Sequence, residues 1–235
     1  MQEAAASVKG TRRRGKLGDF FRAGYEYRVL ELIVQGYKKM CEDRCYPEKE
    51  KEERFSAILT DYIEKCCPMY SMLTHQQWDV TREYYHDSEA VRKGAANPRK
   101  VPRIDIVVVR WKALGKTKEK FPFECKLLDE FDATSIRYYI EKGLIDRYLS
   151  DKNYAAESSW GGMIAYILRG VHDTIMIKLN EQIERQLRRS TDCLILSEPV
   201  ADFKAIYKSQ HQRPDRDDVL TVIHLLLSFP YSTKE

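Results

Sequence analysis

Three ionisable residues stand where a buried strand ordinarily carries none. Asp105 lies inside the apolar run "RIDIVVVRW", and Glu124 and Lys126 lie inside "FPFECKLL". Charges are rarely placed on buried strands, because withdrawing them from water is costly unless they are paired or bind a metal. Side chains alternate along a strand, so Glu124 and Lys126 emerge on one face and Cys125 on the other. If strand 103–111 pairs antiparallel with strand 121–128, Asp105 comes to lie beside Glu124. Two neighbouring carboxylates repel, and one holds a proton unless a cation sits between them. Carboxylate oxygens are hard ligands suited to Mg²⁺ or Mn²⁺. A lysine beside such a centre brings positive charge to an attacked phosphate or orients the attacking water. The competing reading is a buried ion pair, Lys126 with Glu124 or Asp105, that fixes strand register.

These residues need a scaffold, and the rest of the chain supplies its elements. Asp19 is a candidate cap for a helix with Leu30, Ile33, Val34, Tyr37 and Met40 on its apolar positions. A second helix is expected over 48–66, with Phe55, Ile58, Leu59, Tyr62 and Ile63 at helical spacing. "WDVTREYY" (78–85) favours a strand through its aromatic and β-branched residues. The following Gly-, Asn- and Pro-bearing stretch reads as a loop. After the two charged strands come a helix over 133–149 capped by Asp132 and an apolar strand over 162–168. An amphipathic helix over 171–189 and strand candidates within 192–196, 204–213 and 219–229 complete the chain. The expected architecture is one α/β domain with a helical N-terminal portion. Residues 1–16 read as a disordered basic arm, 17–47 as a helical segment, and 48–235 as the main domain with a strand and helix extension.

The run "RIDIVVV", a hairpin connection and then "FPFECKLL" resembles the PD-(D/E)xK nuclease superfamily, the restriction-endonuclease-like fold. The expected order of helix, three meandering strands, helix and strand over roughly 48–168 agrees with that family's core. The resemblance implies a mixed sheet flanked by helices and a Mg²⁺-dependent nuclease in which Mn²⁺ can substitute. It matches Asp105 to the metal-binding aspartate, Glu124 to the acidic residue of the ExK element and Lys126 to its lysine. The backbone carbonyl of Cys125 is implied as a further ligand. A glutamate of the first helix often joins such sites; Glu52 is the choice here, with Glu53 and Glu48 as alternatives. Ile104 stands where the family name has proline. The implied substrate is nucleic acid, DNA ahead of RNA, in a restriction, repair or phage-defence setting with a protein partner or a second copy. The alternatives are an RNA-directed nuclease and a catalytically silent nucleic-acid-binding or assembly subunit of the same fold.

Composition limits these readings without choosing among them. The chain has 235 residues and a net charge of +4. Residues 1–16 contribute five basic groups against Glu3, leaving 35 basic and 35 acidic groups in the remainder. Phosphate-binding surfaces must therefore be local. Candidates are Lys116, Lys118 and Lys120 in the hairpin connection, the helix residues Arg137, Lys142 and Arg147, and a cluster of Arg185, Arg188 and Arg189. No apolar run is long enough for a membrane span, so no membrane partner is expected. Six cysteines without framework spacing, and no export signal, read as reduced thiols of a cytoplasmic protein. Cys41, Cys45, Cys66 and Cys67 with His75 lack a CxxC pair, and apolar packing is preferred over zinc. His211, with Ser209 and Arg213 on its face, and His224 read as sheet-surface histidines ahead of catalytic ones. Gly161 and Gly162 imply a close backbone approach to a neighbouring helix.

Overall fold

The charged strands sit in a sheet whose other residues are chosen for two buried faces. The computed structural model describes residues 15–47, 51–85, 103–111, 118–150, 160–188, 192–213 and 218–229. Its strands are β1 (Trp78–Tyr85), β2 (Arg103–Trp111), β3 (Lys118–Asp129), β4 (Trp160–Arg169), β5 (Ile195–Leu196), β6 (Ile206–Gln212) and β7 (Val219–Ser228). They form a seven-stranded sheet in the order β1-β2-β3-β4-β7-β6-β5. β1, β2 and β3 make an antiparallel meander; β3, β4 and β7 run parallel; β7, β6 and β5 return antiparallel. The sheet is therefore mixed, and the central strands, covered on both sides, read as near-continuous apolar runs.

Helices cover the two faces. On one side lie α1 (Gly15–Glu42) and α2 (Glu52–Thr74). Val29, Leu32, Ile33 and Met40 of α1 and Phe55, Leu59 and Ile63 of α2 share a core with Ile106, Val108, Phe123 and Tyr166. On the other side lie α3 (Ala133–Tyr138), its π-helical continuation (Tyr139–Leu149) and α4 (His172–Leu187). Ile136, Tyr139, Leu144, Ile175 and Leu179 pack there on Val107, Val109, Leu128, Met163 and Leu226. Alternation along β2 assigns Ile106 and Val108 to the first layer and Val107 and Val109 to the second. No helix among the described residues is long and apolar enough to cross a membrane.

Several boundaries differ from the sequence reading. β3 begins at Lys118 rather than 121, so Lys118 and Lys120 belong to the strand and not to the hairpin connection. β4 runs from Trp160 to Arg169 rather than over 162–168. α1 already includes Gly15 and Lys16, so Asp19 lies inside the helix and is not its cap; residues 1–14 lie outside the described residues. α2 begins at Glu52 rather than 48 and continues past Cys66 to Thr74, through Pro68. Burial explains that extension: Cys66, Cys67 and Tyr70 all face the core, and the turn closes only at His75, which adopts a left-handed conformation and returns its N–H to the Ser71 carbonyl. Finally, the predicted helix 133–149 changes winding at Tyr139. Asp132 caps it as expected, accepting from the Thr134 N–H at 2.9 Å. From Tyr139 onward the helix is π-wound, and at its end the Ser150 N–H donates to the Ile145 carbonyl at 3.0 Å. Tyr139 and Tyr148 are both fully buried. Nine residues are two and a half α-helical turns, which would put the two rings on opposite faces; the looser winding keeps both on the sheet.

Candidate active site

β2 and β3 pair with Ile106 opposite Phe123, so the next rung sets Asp105 beside Glu124. That antiparallel register is the one the sequence reading required. Asp105 Oδ2 accepts from the Cys125 N–H at 2.7 Å, which ties the carboxylate to the backbone of the partner strand. Glu124 faces the π-helix layer and is essentially buried.

Lys126 is the centre of the cluster. Its Nζ donates to Glu124 Oε1 at 2.7 Å, to Glu52 Oε1 at 3.0 Å and to the Cys125 carbonyl at 2.6 Å. Glu52, in the first turn of α2, makes this contact, whereas Glu53 in the same turn is exposed; Glu48 lies outside the described residues. Arg147 approaches from the other layer, its Nε donating to Glu124 Oε1 at 3.2 Å. Both cations use the same oxygen. Glu124 Oε2 is buried without a hydrogen-bond partner, an arrangement that ordinarily carries a penalty.

The electrostatics follow from burial and crowding. Burial, then the charge of Glu124, pushes the Asp105 carboxyl from 3.8 up to about 7, although Lys126 and the Cys125 N–H pull against them. Burial also raises Glu52, with Lys126 pulling it back. Desolvation works against the Lys126 ammonium, yet the carboxylates of Glu124, Glu52 and Asp105 outweigh it and its pKa is raised. Held among these carboxylates, Lys126 is kept as an ammonium.

Among the described residues no three His, Cys, Asp or Glu side chains are gathered closely enough to cage a metal by themselves. What gathers the oxygens is the lysine ammonium: Glu52, Glu124 and the Cys125 carbonyl all converge on it. Three carboxylates with one carbonyl are the hard oxygen set that Mg²⁺ or Mn²⁺ takes. The partnerless Glu124 Oε2 and the elevated Asp105 mark a centre short of positive charge. The residues fit a divalent cation in kind.

The remaining sequence candidates separate by location. Lys142 pairs with Asp146 at 3.0 Å and Arg137 with Glu141 at 3.8 Å, each exposed and held by its own helix. Neither is joined to the cluster; Arg147 is. Lys118 and Lys120 are exposed on β3, Lys118 lying over the Trp111 ring at 3.9 Å. Lys120 is four residues from Glu124, about 13 Å along the strand. Lys116, like Arg189, lies outside the described residues. The six cysteines are free, with Cys66, Cys67 and Cys125 buried. Gly161 does permit the close approach expected of it: a Cβ there would meet the Tyr148 ring at 2.3 Å.

A second polar array lies inside the molecule, contrary to the expectation of sheet-surface histidines. His211 and His224 are not on the sheet surface but buried, at 1% and 0% exposure. Tyr139 OH lies 3.0 Å from His224 Nδ1; His224 Nε2 and His211 Nε2 lie 2.8 and 2.7 Å from Ser209 Oγ; and His211 Nδ1 lies 3.3 Å from Asp192 Oδ2. The alternation of Ser209 and His211 was the available signal. The contributions of Asp192 and Tyr139 depend on the tertiary arrangement.

No protein-family model, curated protein or solved structure matches the chain.

Proposed function

We propose that this protein is a metal-dependent phosphodiesterase acting on nucleic acid, DNA in preference to RNA, with a PD-(D/E)xK-type site. The observation that carries the reading is the convergence of Glu52, Glu124 and the Cys125 carbonyl on one cationic centre, with Asp105 fixed alongside. Glu52, Asp105, Glu124 and the Cys125 carbonyl would hold Mg²⁺ or Mn²⁺, which supplies Lewis-acid stabilisation of the attacked phosphate and a more acidic bound water. Lys126 contributes a permanent positive charge and N–H donors that orient water or stabilise charge building on phosphate oxygens. Arg147 restrains the Glu124 carboxylate through Oε1, and Oε2 is left as an unused acceptor. Lys118 and Lys120, with Lys116, are assigned to phosphate contacts away from the chemistry. A role in restriction, repair or phage defence, with a protein partner or a second copy, rests on the family resemblance.

A second reading has an observation in its favour. Lys126 makes three bonds, so the cluster also serves as an ionic clamp between α2 and β3. Cleavage assays on single- and double-stranded DNA and RNA separate the two. The nuclease reading expects cleavage with Mg²⁺ or Mn²⁺ that stops with chelator and is lost in folded Asp105→Ala. A folded protein inert on every substrate and metal leaves the clamp; cleavage that survives exhaustive chelation excludes the metal mechanism.

A further inference from the structure

A lysine beside metal-binding carboxylates would ordinarily be expected to point past them, toward substrate. Here its ammonium has three acceptors within 3.0 Å, and all three belong to the residues assigned to the metal. The Lys126 side chain is 16% exposed and Glu124 1%. An ammonium in that position satisfies Glu52 and Glu124 and links the start of α2 to β3. It also occupies the oxygens that a divalent ion requires. Arg147 reaches Glu124 Oε1 from the π-helix.

We propose that Lys126 is the site's resident counter-ion, and that divalent-metal binding is a cation exchange in which its ammonium leaves Glu52, Glu124 and the Cys125 carbonyl. The inference rests on the metal-binding reading of the site and adds the lysine as an internal competitor. It has two consequences. The lysine lowers metal affinity, because part of the metal's interaction is spent displacing it. Exchange also turns Lys126 away from the carboxylates, so the residue becomes available to phosphate and water only once the metal is in place. An unloaded site would then be inactive by construction, with Lys126 held on Glu52, Glu124 and the Cys125 carbonyl.

The exchange has readouts independent of cleavage. Mn²⁺ binding is measured by calorimetry at one pH and low ionic strength on wild type and on Lys126→Met, which keeps the apolar stem without the charge. The expected result is binding at least tenfold tighter in the variant. Equal or weaker binding overturns the exchange while leaving the metal site standing. Absence of Mn²⁺ binding at millimolar concentration in both proteins overturns the exchange and the metal reading together. Since Lys126→Met leaves buried carboxylates unpaired and can fail to fold, a second measurement uses wild type alone. An amine-acylating reagent is applied with and without Mg²⁺, and modification of the peptide bearing Lys126 is followed by mass spectrometry, with exposed Lys118 as internal reference. Release predicts severalfold faster acylation of Lys126 with Mg²⁺ and an unchanged rate at Lys118. An unchanged or slower rate at Lys126 overturns the proposal.

Discussion

Glu124 Oε1 receives two cations and Oε2 receives none, and Asp105 lies beside that unevenly served carboxylate. Burial, and then the charge of Glu124 beside it, raise the Asp105 carboxyl from 3.8 to about 7. Between those limits the unfolded chain carries an ionised Asp105 and the folded protein a protonated one. The folded state then binds more protons, so this residue's contribution to stability is present below about 3.8 and is lost as pH rises through about 7. The elevation is worth up to about 4 kcal/mol, reduced toward about 2 by the water reaching a half-buried carboxylate. Asp105→Asn keeps an oxygen that accepts from the Cys125 N–H but cannot ionise. In metal-free buffer at pH 8 it is expected to melt higher than wild type, and the advantage should vanish below pH 4. Denaturation curves across that range check it; a variant less stable at pH 8 would contradict the placement of Asp105 against Glu124. The charge pattern behind this behaviour was legible in the sequence, since polar residues at alternate positions of an apolar strand point to one face. The sharing of Oε1 was not, because it depends on Arg147 arriving from another layer.

Arg147 arrives because of how its element is wound. A 3.6-residue period, the one assumed in reading 133–149, cannot keep Tyr139 and Tyr148 on the sheet together; the π-helix does, and Arg147 is carried with it over Glu124. Nothing in local propensity marks this change, which is set by what the two rings pack against. Tyr148 OH donates to the Gly162 carbonyl at 2.5 Å, and its ring lies against Gly161. That glycine therefore fixes the height of the helix above β4. Gly161→Ala would drive a methyl into the rigid ring at 2.3 Å, where no flexible side-chain end can yield. A loss of about 1–3 kcal/mol is expected. If Arg147 positions Glu124 as proposed, Gly161→Ala should also lower cleavage at temperatures where it remains folded. Arg137→Ala, on the same helical segment but paired outward with Glu141, should leave both properties unchanged. α2 outruns its expected end at Cys66 for a like reason, because burial of Tyr70 carries the helix past Pro68.

Across the whole molecule the sheet carries two ionisable systems with opposite responses to acid. The order of strands and helices was readable from hydrophobic period, whereas the strand order that sets β7 and β6 beyond β4 depends on long-range pairing. That order makes His224 the neighbour of Met163, on the same rung as Glu124. It also buries His224 beneath Tyr139. Burial, then the nearby His211, pushes His224 down to about 3; burial also lowers His211, against the pull of Asp192. Between about 3 and 6.5 the unfolded chain protonates His224 and the folded protein does not, so stability from this residue is present above 6.5 and lost as pH falls. The slope is about 1.4 kcal/mol per pH unit. Asp105 contributes the same slope with the opposite sign over nearly the same window, and Glu52, also raised, adds to it. The two systems offset, and wild type should show a shallow dependence of stability on pH between 4 and 6.5. Substitution should separate them. Asp105→Asn removes the compensating term and should make acid destabilisation steeper by about one proton. His224→Gln, which stays neutral and retains polar groups for Ser209 and Tyr139, should be less stable at pH 7.5 yet gain relative to wild type on acidification. Chemical denaturation at half-unit pH steps reads both slopes. If Asp105→Asn leaves the acid slope unchanged while His224→Gln still alters it, the histidine chain is buried as described but the carboxylates are not coupled. The case for a charge-starved centre at Asp105 and Glu124 would then fall with them.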